Sequence, residues 1–251
     1  MLKFGLIGNP IAHSKSPALF KAAYNSNNLE YNIIEADTCQ KAMEIFNTQG
    51  YKGINITAPF KNEIMNYSTH PDRISSLLSA ANILIKENGE LHSYNSDYYG
   101  VTNTLKEFIS EFSNKSAIII GAGGAGKAAA LAAKDIGFKN VTLTNRSNNK
   151  AIDFCNKIGI KFSPFEKIEE SIIKSDVVIY ALSVKLPNLN NINFKDKIFF
   201  EANYANPQFA DCNANIYIKG EYWLLNQAVK AFELFTHTKP NTLKMRELIN
   251  I

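Results

Sequence analysis

The segment that most constrains this chain lies near its middle. Ser116, Ala117, Ile118, Ile119 and Ile120 form an apolar, β-branched run that reads as a buried strand. It passes directly into Gly121, Ala122, Gly123, Gly124, Ala125 and Gly126, and then into an alanine-rich helical stretch over 126–136. A strand, a GxGxxG loop and a helix in that order predict a parallel α/β unit that holds a dinucleotide. Gly121 permits the tight turn, Gly123 lets backbone approach a pyrophosphate, and Gly126 lets helix and strand pack closely. The start of the helix adds N–H groups without partners and a partial positive charge.

The strand that follows selects between cofactors. An NAD site usually ends this strand on Asp or Glu, which holds the ribose 2′-hydroxyl. Here the strand end reads Thr144, Asn145, Arg146, Ser147, with no carboxylate. Arg146 suits a 2′-phosphate as a planar, charged donor, and Asn145 and Ser147 add hydrogen bonds. NADP is the expected cofactor.

Short β-like runs alternate with helical patterns throughout. Candidate strands are 3–7, 31–35, 53–56, 83–86 and 91–94, with helices beginning near Pro17, Cys39, Lys61 and Pro71. A second series covers 117–120, 141–144, 176–181, 198–201 and 216–218. This alternation predicts an α/β fold with mostly parallel sheets. The chain has 251 residues, 45% hydrophobic and 20% charged, enough for one large or two modest domains at roughly 100–200 residues each. The break is expected near 97–104, with a helix running on through Phe112 and a turn at 113–115. A final helix over 223–236 carries Leu224, Leu225, Ala228, Ala231, Phe232 and Phe235 on one stripe. The expected division is 1–100 against 101–222, with the helices of 223–251 returning to the first domain.

Composition excludes several classes. The net charge of +4 is dispersed, and no Lys/Arg run marks a nucleic-acid tail. The three cysteines, Cys39, Cys155 and Cys212, contain no CxxC pair, so the sequence suggests neither a disulfide framework nor a metal site. No stretch of about 18 apolar residues exists, and the start resembles no signal peptide. The expectation is a cytoplasmic protein acting on small molecules, without nucleic acid, membrane or metal.

Three strand ends in the first half carry clustered polar groups. Gly8-Asn9-Pro10-Ile11-Ala12-His13-Ser14-Lys15-Ser16-Pro17 is a hydroxyl-rich loop in which Ser16 reads as a helix N-cap or as part of an anion cradle. The strand at 53–56 runs into Thr57, Pro59 and Lys61, and the strand at 91–94 runs into Asn95, Ser96 and Asp97. In open α/β sheets ligands gather at the carboxyl ends of strands. Each group alone reads as an ordinary loop residue; their repeated placement points to a site.

The order GNPIxHSxSP, NxTxPxK, AxN, YNxD, GAGGAG, NRS and a late GxxxLxxQ resembles the shikimate dehydrogenase family over residues 5 to 235. The resemblance implies an N-terminal α/β substrate domain with a mostly parallel sheet and a C-terminal Rossmann-like dinucleotide-binding domain. It places the active site in the cleft between them, and it implies NADP-dependent reduction of 3-dehydroshikimate to shikimate by a monomer or homodimer. It assigns the substrate carboxylate to Ser14 and Ser16, with Tyr204 bordering it, and the ring hydroxyls to Thr57, Asn82 and Gln227. Lys61 and Asp97 become the catalytic residues. Gly121, Gly123, Gly124, Ala125 and Gly126 wrap the pyrophosphate, Asn145, Arg146 and Ser147 meet the 2′-phosphate, and Ser183 and Gly220 lie on the nicotinamide side. An ammonium beside a ketone that receives hydride stabilises the developing alkoxide and supplies its proton.

The chain departs from the family at several points. AxNT becomes Ala81-Asn82-Ile83, NATSxGM becomes Tyr180-Ala181-Leu182-Ser183-Val184-Lys185-Leu186, DxxY becomes Glu201-Ala202-Asn203-Tyr204, and GLGML becomes Gly220-Glu221-Tyr222-Trp223-Leu224. The changes gather on the nicotinamide side, where Trp223, one helical turn before Gln227, is expected to approach the ligands. On the residues alone three other readings stay open. They are a quinate- or NAD-preferring dehydrogenase, a relative acting on another cyclic hydroxy acid, and a non-catalytic NADP- or metabolite-binding regulator.

Overall fold

In a computed structural model, which describes residues 2–11, 14–24 and 28–251, the chain divides into two compact α/β units. Ala12 and His13 of the first loop motif lie outside the described residues. One unit comprises Met1–Ser96 with Leu225–Ile251; the other comprises Asp97–Leu224.

The first unit is built on β1 (Leu2–Gly8), β2 (Leu29–Glu35), β3 (Gly53–Ile56), β4 (His70–Pro71), β5 (Ile83–Glu87) and β6 (Glu90–Tyr94), in the order β2-β1-β3-β5-β6-β4. β1 pairs in parallel with β2 and β3, whereas β5 runs antiparallel to both β3 and β6. The carboxyl ends of β1, β3 and β6 therefore share one edge with the amino end of β5. Helix α1 (Ser16–Ala23) precedes α2 (Cys39–Thr48), whose Thr38 cap accepts from Lys41 N–H at 3.2 Å. Cys39, Ala42, Met43 and Phe46 form the buried stripe of α2 and pack with Ile34, Ile54 and Ile56. Phe4 stacks on Phe235 at 4.8 Å and Phe20 on Tyr31 at 4.2 Å. Gly53 makes room here, because a Cβ would stand 2.7 Å from the Phe235 ring.

Two helix expectations shift. Near Lys61 the chain forms a short 3-10 turn, Glu63–Tyr67. Pro71 instead closes β4, and α3 (Arg73–Leu78) starts behind it, where the Asp72 carboxylate accepts from Ser75 N–H at 2.7 Å. The Asp72 cap thus fixes the start two residues later than Pro71 alone suggests.

The second unit is wholly parallel. Its strands are β7 (Ser116–Ile120), β8 (Asn140–Asn145), β9 (Lys161–Pro164), β10 (Val177–Tyr180), β11 (Ile198–Glu201) and β12 (Ile216–Ile218), in the order β12-β11-β10-β7-β8-β9. The chain winds from β7 out to β9, then returns to the other side of β7. This is the doubly wound, Rossmann-like order, with its reversal between β7 and β10. Between strands run α5 (Gly124–Asp135), α6 (Asn148–Ile158) and α7 (Ile168–Ile173). Both sheet faces are covered, so Ile118, Ile119, Val178 and Ile179 are all fully buried. Helix α4 (Ser96–Phe108) ends four residues before the expected Phe112. Helix α8 (Gly220–Thr236) begins three residues earlier than its apolar stripe suggests, and α9 (Thr242–Ile249) follows behind its Asn241 cap.

Candidate active site

In the first unit the loops leaving β1 and β3 touch. A Cβ on Gly8 would fall 2.3 Å from the Thr57 methyl, and Asn9 N–H donates to the Ala58 carbonyl at 3.2 Å. Thr57 N–H continues the pairing to Ile7, and its carbonyl accepts from Phe60 N–H, closing the turn that delivers half-buried Lys61. Ala81 N–H then holds the Lys61 carbonyl at 2.8 Å. On the β1 side, Ser14 Oγ accepts from Ser16 N–H at 3.2 Å. Lys15, not Ser16, is the N-cap of α1, without a side-chain cap bond, and Ser16 is the first helical residue. The N-cap expectation for Ser16 is thereby corrected.

Asn82 sits at the amino end of β5, where its backbone pairs with Ile56 and Tyr94. Its side-chain oxygen accepts from Ser96 N–H at 2.6 Å and from Ser96 Oγ at 3.3 Å, and its Nδ2 lies 3.5 Å from Gln227 Oε1. The next residue, Ile83, is fully buried, so the position where the family carries a threonine is core here. Asn82, Asn95, Ser96 and Asp97 are all buried. A buried carboxylate in the first turn of a helix is favoured by the unpaired N–H groups there, and Asp97 occupies that turn of α4.

Two residues of this network were not singled out by sequence reasoning. Tyr31 Oη donates to Asn55 Oδ1 at 2.9 Å, while Asn55 Nδ2 reaches the Asn82 carbonyl at 3.4 Å. Burial pushes the Tyr31 hydroxyl well above its ordinary pKa. The available signal was a polar Asn and a Tyr at otherwise apolar strand positions; their meeting depends on register across three strands.

In the second unit the glycine loop follows β7. Gly121 adopts φ +106°, and Gly121 N–H donates to the Thr144 carbonyl at 2.9 Å. A Cβ on Gly126 would lie 1.8 Å from the Gly121 carbonyl oxygen, so α5 packs against the loop at a distance only glycine allows. A Cβ on Gly123 would meet nothing within 4 Å. Gly124 and Ala125 open the first turn of α5, whose N–H groups have no intrahelical acceptor. An open approach at Gly123 beside these donors fits a pyrophosphate.

Asn145 ties this loop to the end of β8: its Oδ1 accepts from Ala122 N–H at 3.1 Å and its Nδ2 donates to the Ser147 carbonyl at 3.0 Å. Arg146 and Ser147 are exposed just beyond. Lys127, half-buried over the Phe154 ring, has its pKa lowered by burial and by the like charges of Lys150 and Lys157. Across the reversal, Tyr180 Oη donates to the Val184 carbonyl at 2.5 Å, pinning the loop that exposes Ser183. Burial raises this hydroxyl to about 12.

The loop after β11 is organised by Glu201, a further residue whose part the sequence did not reveal. Its fully buried carboxylate accepts from Gln208 N–H at 2.6 Å, Phe209 N–H at 3.0 Å and Tyr217 Oη at 2.7 Å. The loop carries half-buried Tyr204, whose pKa is raised by burial and by Glu221. A Cβ on Gly220 would lie 2.7 Å from the Ala202 carbonyl and 2.8 Å from Tyr204 N, so Gly220 is a close backbone crossing. The expectation for Trp223 is also corrected: its indole is only 4% exposed and packs on Phe200 at 5.6 Å, while Tyr222 meets Phe108 edge-on at 4.8 Å. Trp223 fills core volume, and Tyr222 is half-buried.

Known proteins match this arrangement along the whole chain. Residues 6–84 match the family described as the shikimate dehydrogenase substrate binding domain, and residues 103–207 match shikimate / quinate 5-dehydrogenase. The shikimate dehydrogenase (NADP(+)) of Archaeoglobus fulgidus is 31% identical, covering 98% of this chain and 97% of the relative. The solved shikimate dehydrogenase from Aquifex aeolicus superposes with a TM-score of 0.88 at 29% identity, over 100% of this chain and 98% of that one. A shikimate dehydrogenase solved in complex with NADP+ gives 0.87 at 26% identity, covering 100% and 95%. With sequence likeness, fold and strand-end motifs agreeing from one end to the other, the chain belongs to the shikimate dehydrogenase family.

Proposed function

We propose that the chain reduces 3-dehydroshikimate to shikimate reversibly with NADPH, and that Lys61 and Asp97 carry the proton chemistry. The observation that carries this reading is the polar network of the first unit. Ser14, Ser16, Thr57, Lys61 and Asn82 all stand at one edge of its sheet, and Gln227 joins through Asn82. A ring bearing one carboxylate and several hydroxyls needs such a set: hydroxyl donors for the anion, amides for the alcohols, and an ammonium for the reacting oxygen.

In this reading Ser14 and Ser16 donate to the carboxylate, with Tyr204 beside it, and Thr57, Asn82 and Gln227 hold ring hydroxyls. NADPH, when bound, supplies the hydride. Lys61 stabilises negative charge on the ketone oxygen and delivers its proton, and Asp97 orients that ammonium and accepts from the product hydroxyl. The unit of residues 97–224 is the NADP-holding one. Gly121, Gly123, Gly124, Ala125 and Gly126 receive the pyrophosphate, Arg146 with Asn145 and Ser147 the 2′-phosphate, and Ser183 and Gly220 flank the nicotinamide side. The cations of Lys127, Lys150 and Lys157 raise the local potential for that anion. The reaction belongs to the chorismate route to aromatic amino acids, carried out in the cytoplasm by a monomer or homodimer. Among the described residues no helix is long and apolar enough to cross a membrane.

The test follows NADPH absorbance with purified protein. NADPH consumption with 3-dehydroshikimate and NADP reduction with shikimate are expected, with quinate and NAD used far less well. Absence of turnover with both shikimate and 3-dehydroshikimate would remove the reading.

A further inference from the structure

Tyr180 is the last residue of β10 and is fully buried. Its ring packs edge-on against Phe209 at 4.8 Å, and its Oη donates to the Val184 carbonyl at 2.5 Å. That bond spans Ala181, Leu182 and Ser183 and closes them into a bend. With the Val184 carbonyl drawn inward, Ser183 and the Val184 side chain stand exposed. The same bend lies against the glycine loop. Ala181 N–H donates to the carbonyl of Ile120, the last residue of β7, at 2.9 Å. A Cβ on Gly121 would fall 2.7 Å from Leu182 Cδ2, and one on Gly126 would fall 3.5 Å from the Ala181 Cβ. β7 and β10 are the neighbours at which the winding reverses, and dinucleotides lie across the carboxyl ends of such a pair.

From this geometry we propose that Tyr180 is a positioning residue for the cofactor: its hydroxyl latches the 181–184 bend beside the glycine loop and so presents Ser183 to the nicotinamide half of NADP. The inference rests on the reading of Ser183 as a nicotinamide-side residue. The latch is one-sided. A fully buried hydroxyl that lets go of Val184 has no solvent to turn to, and an unpaired buried donor is costly, so the bond stays made. Val184 is 54% exposed, so without that donor its carbonyl can turn to water and the bend is released. Burial keeps the phenol protonated, so the donor is present throughout the neutral range. The latch belongs to a departure of this chain, because Tyr180 stands where the family carries Asn.

Tyr180→Phe keeps the ring on Phe209 and removes the latch. Binding of NADP and of adenosine 2′,5′-bisphosphate, which lacks the nicotinamide half, is titrated directly on purified protein, so the readout does not depend on turnover. NADP should bind roughly three- to tenfold more weakly, the worth of one hydrogen bond, while the bisphosphate stays within about twofold. Ser183→Ala should weaken NADP in the same selective way. The two changes together should be less than additive, because both act on one contact, and additive losses overturn the route through Ser183. Equal weakening of both ligands in Tyr180→Phe would show a purely structural hydroxyl and overturns the proposal. An unchanged NADP affinity in a folded Tyr180→Phe, while Ser183→Ala lowers it, overturns the latch and leaves Ser183 standing. An unchanged NADP affinity in Ser183→Ala overturns the reading of Ser183, and the latch with it. Should Tyr180→Phe not fold, hydrogen exchange in the unmodified protein carries the test: NADP should slow the amides of 181–186 and the bisphosphate should not. Equal exchange with either ligand overturns the proposal.

Discussion

Lys61 leaves the β3 turn half-buried, its carbonyl held by Ala81 N–H, so its ammonium is presented from a fixed backbone. A group that meets the reacting oxygen acts mainly on the transition state. Lys61→Ala should lower kcat about a hundredfold with a modest change in KM. A large rise in KM at unchanged kcat would make Lys61 a binding residue instead. Arg146 stands exposed beyond β8, beside an Asn145 already committed to Ala122 and Ser147, so on the proposed reading the 2′-phosphate falls chiefly to the guanidinium. Arg146→Ala should cost roughly 1.5–3 kcal/mol for NADP, or about ten- to a hundredfold in KM, and little for NAD. Equal losses for both cofactors would contradict it. At this scale the sequence was readable where a residue acts through its own type and place. Gly121 and Gly126 of the loop are examples. It was silent where the role depends on a partner far along the chain: Tyr31 and Asn55 meet across 24 positions, and Glu201 gathers Gln208, Phe209 and Tyr217 from a folded loop.

The strand–loop–helix element β7–α5 separates two demands on glycine that the motif presents together. At Gly126 an added methyl would overlap the Gly121 carbonyl, and relief requires α5 to move off the loop. At Gly123 the backbone has φ −69° and ψ −176°, which alanine adopts without strain, and the methyl would point into open space. Gly126→Ala should therefore destabilise the protein by roughly 1–3 kcal/mol or more, lowering the melting temperature by about 3–10 °C. Gly123→Ala should melt within about 2 °C of the parent, since it adds no clash. Its KM for NADP should rise, because the methyl occupies the approach of the pyrophosphate. Matching melting losses in the two variants would show that both glycines are packing residues. Elements with a long apolar run, such as β1 and β7, were legible from their pattern alone. β9 (Lys161–Pro164) was not, because four residues with one buried side chain and a terminal proline carry no period; its pairing with β8 makes it a strand.

For the whole molecule, strand–helix alternation gave the class but not the strand order, which rests on pairings between distant segments such as β7 with β10. The division at Leu224 and Leu225 falls inside one continuous helix and leaves no mark in composition. One global property follows from what the two cores enclose. Cys39 in the first unit and Cys155 in the second are buried, and burial lifts each thiol from 9.0 to about 11. Tyr180 rises to about 12 for the same reason, and Tyr31 and Tyr217 are raised as well. An unfolded chain loses these thiol protons near pH 9 and the phenol protons near 10, whereas the folded chain keeps them. Between those values the unfolded state binds fewer protons than the folded one, so stability falls as pH rises. Lys127 acts in the opposite sense, because its lowered pKa penalises the folded state while it is charged, but it is one half-buried group against several buried ones. The melting temperature should stay level from about pH 7 to 8.5 and then decline steadily to about pH 11. In the same native protein at pH 8, Cys39 and Cys155 should react with a thiol reagent far more slowly than after unfolding. A melting temperature that holds or climbs between pH 9 and 11, or prompt labelling of both thiols in the folded chain, would show that these side chains meet solvent in the native protein.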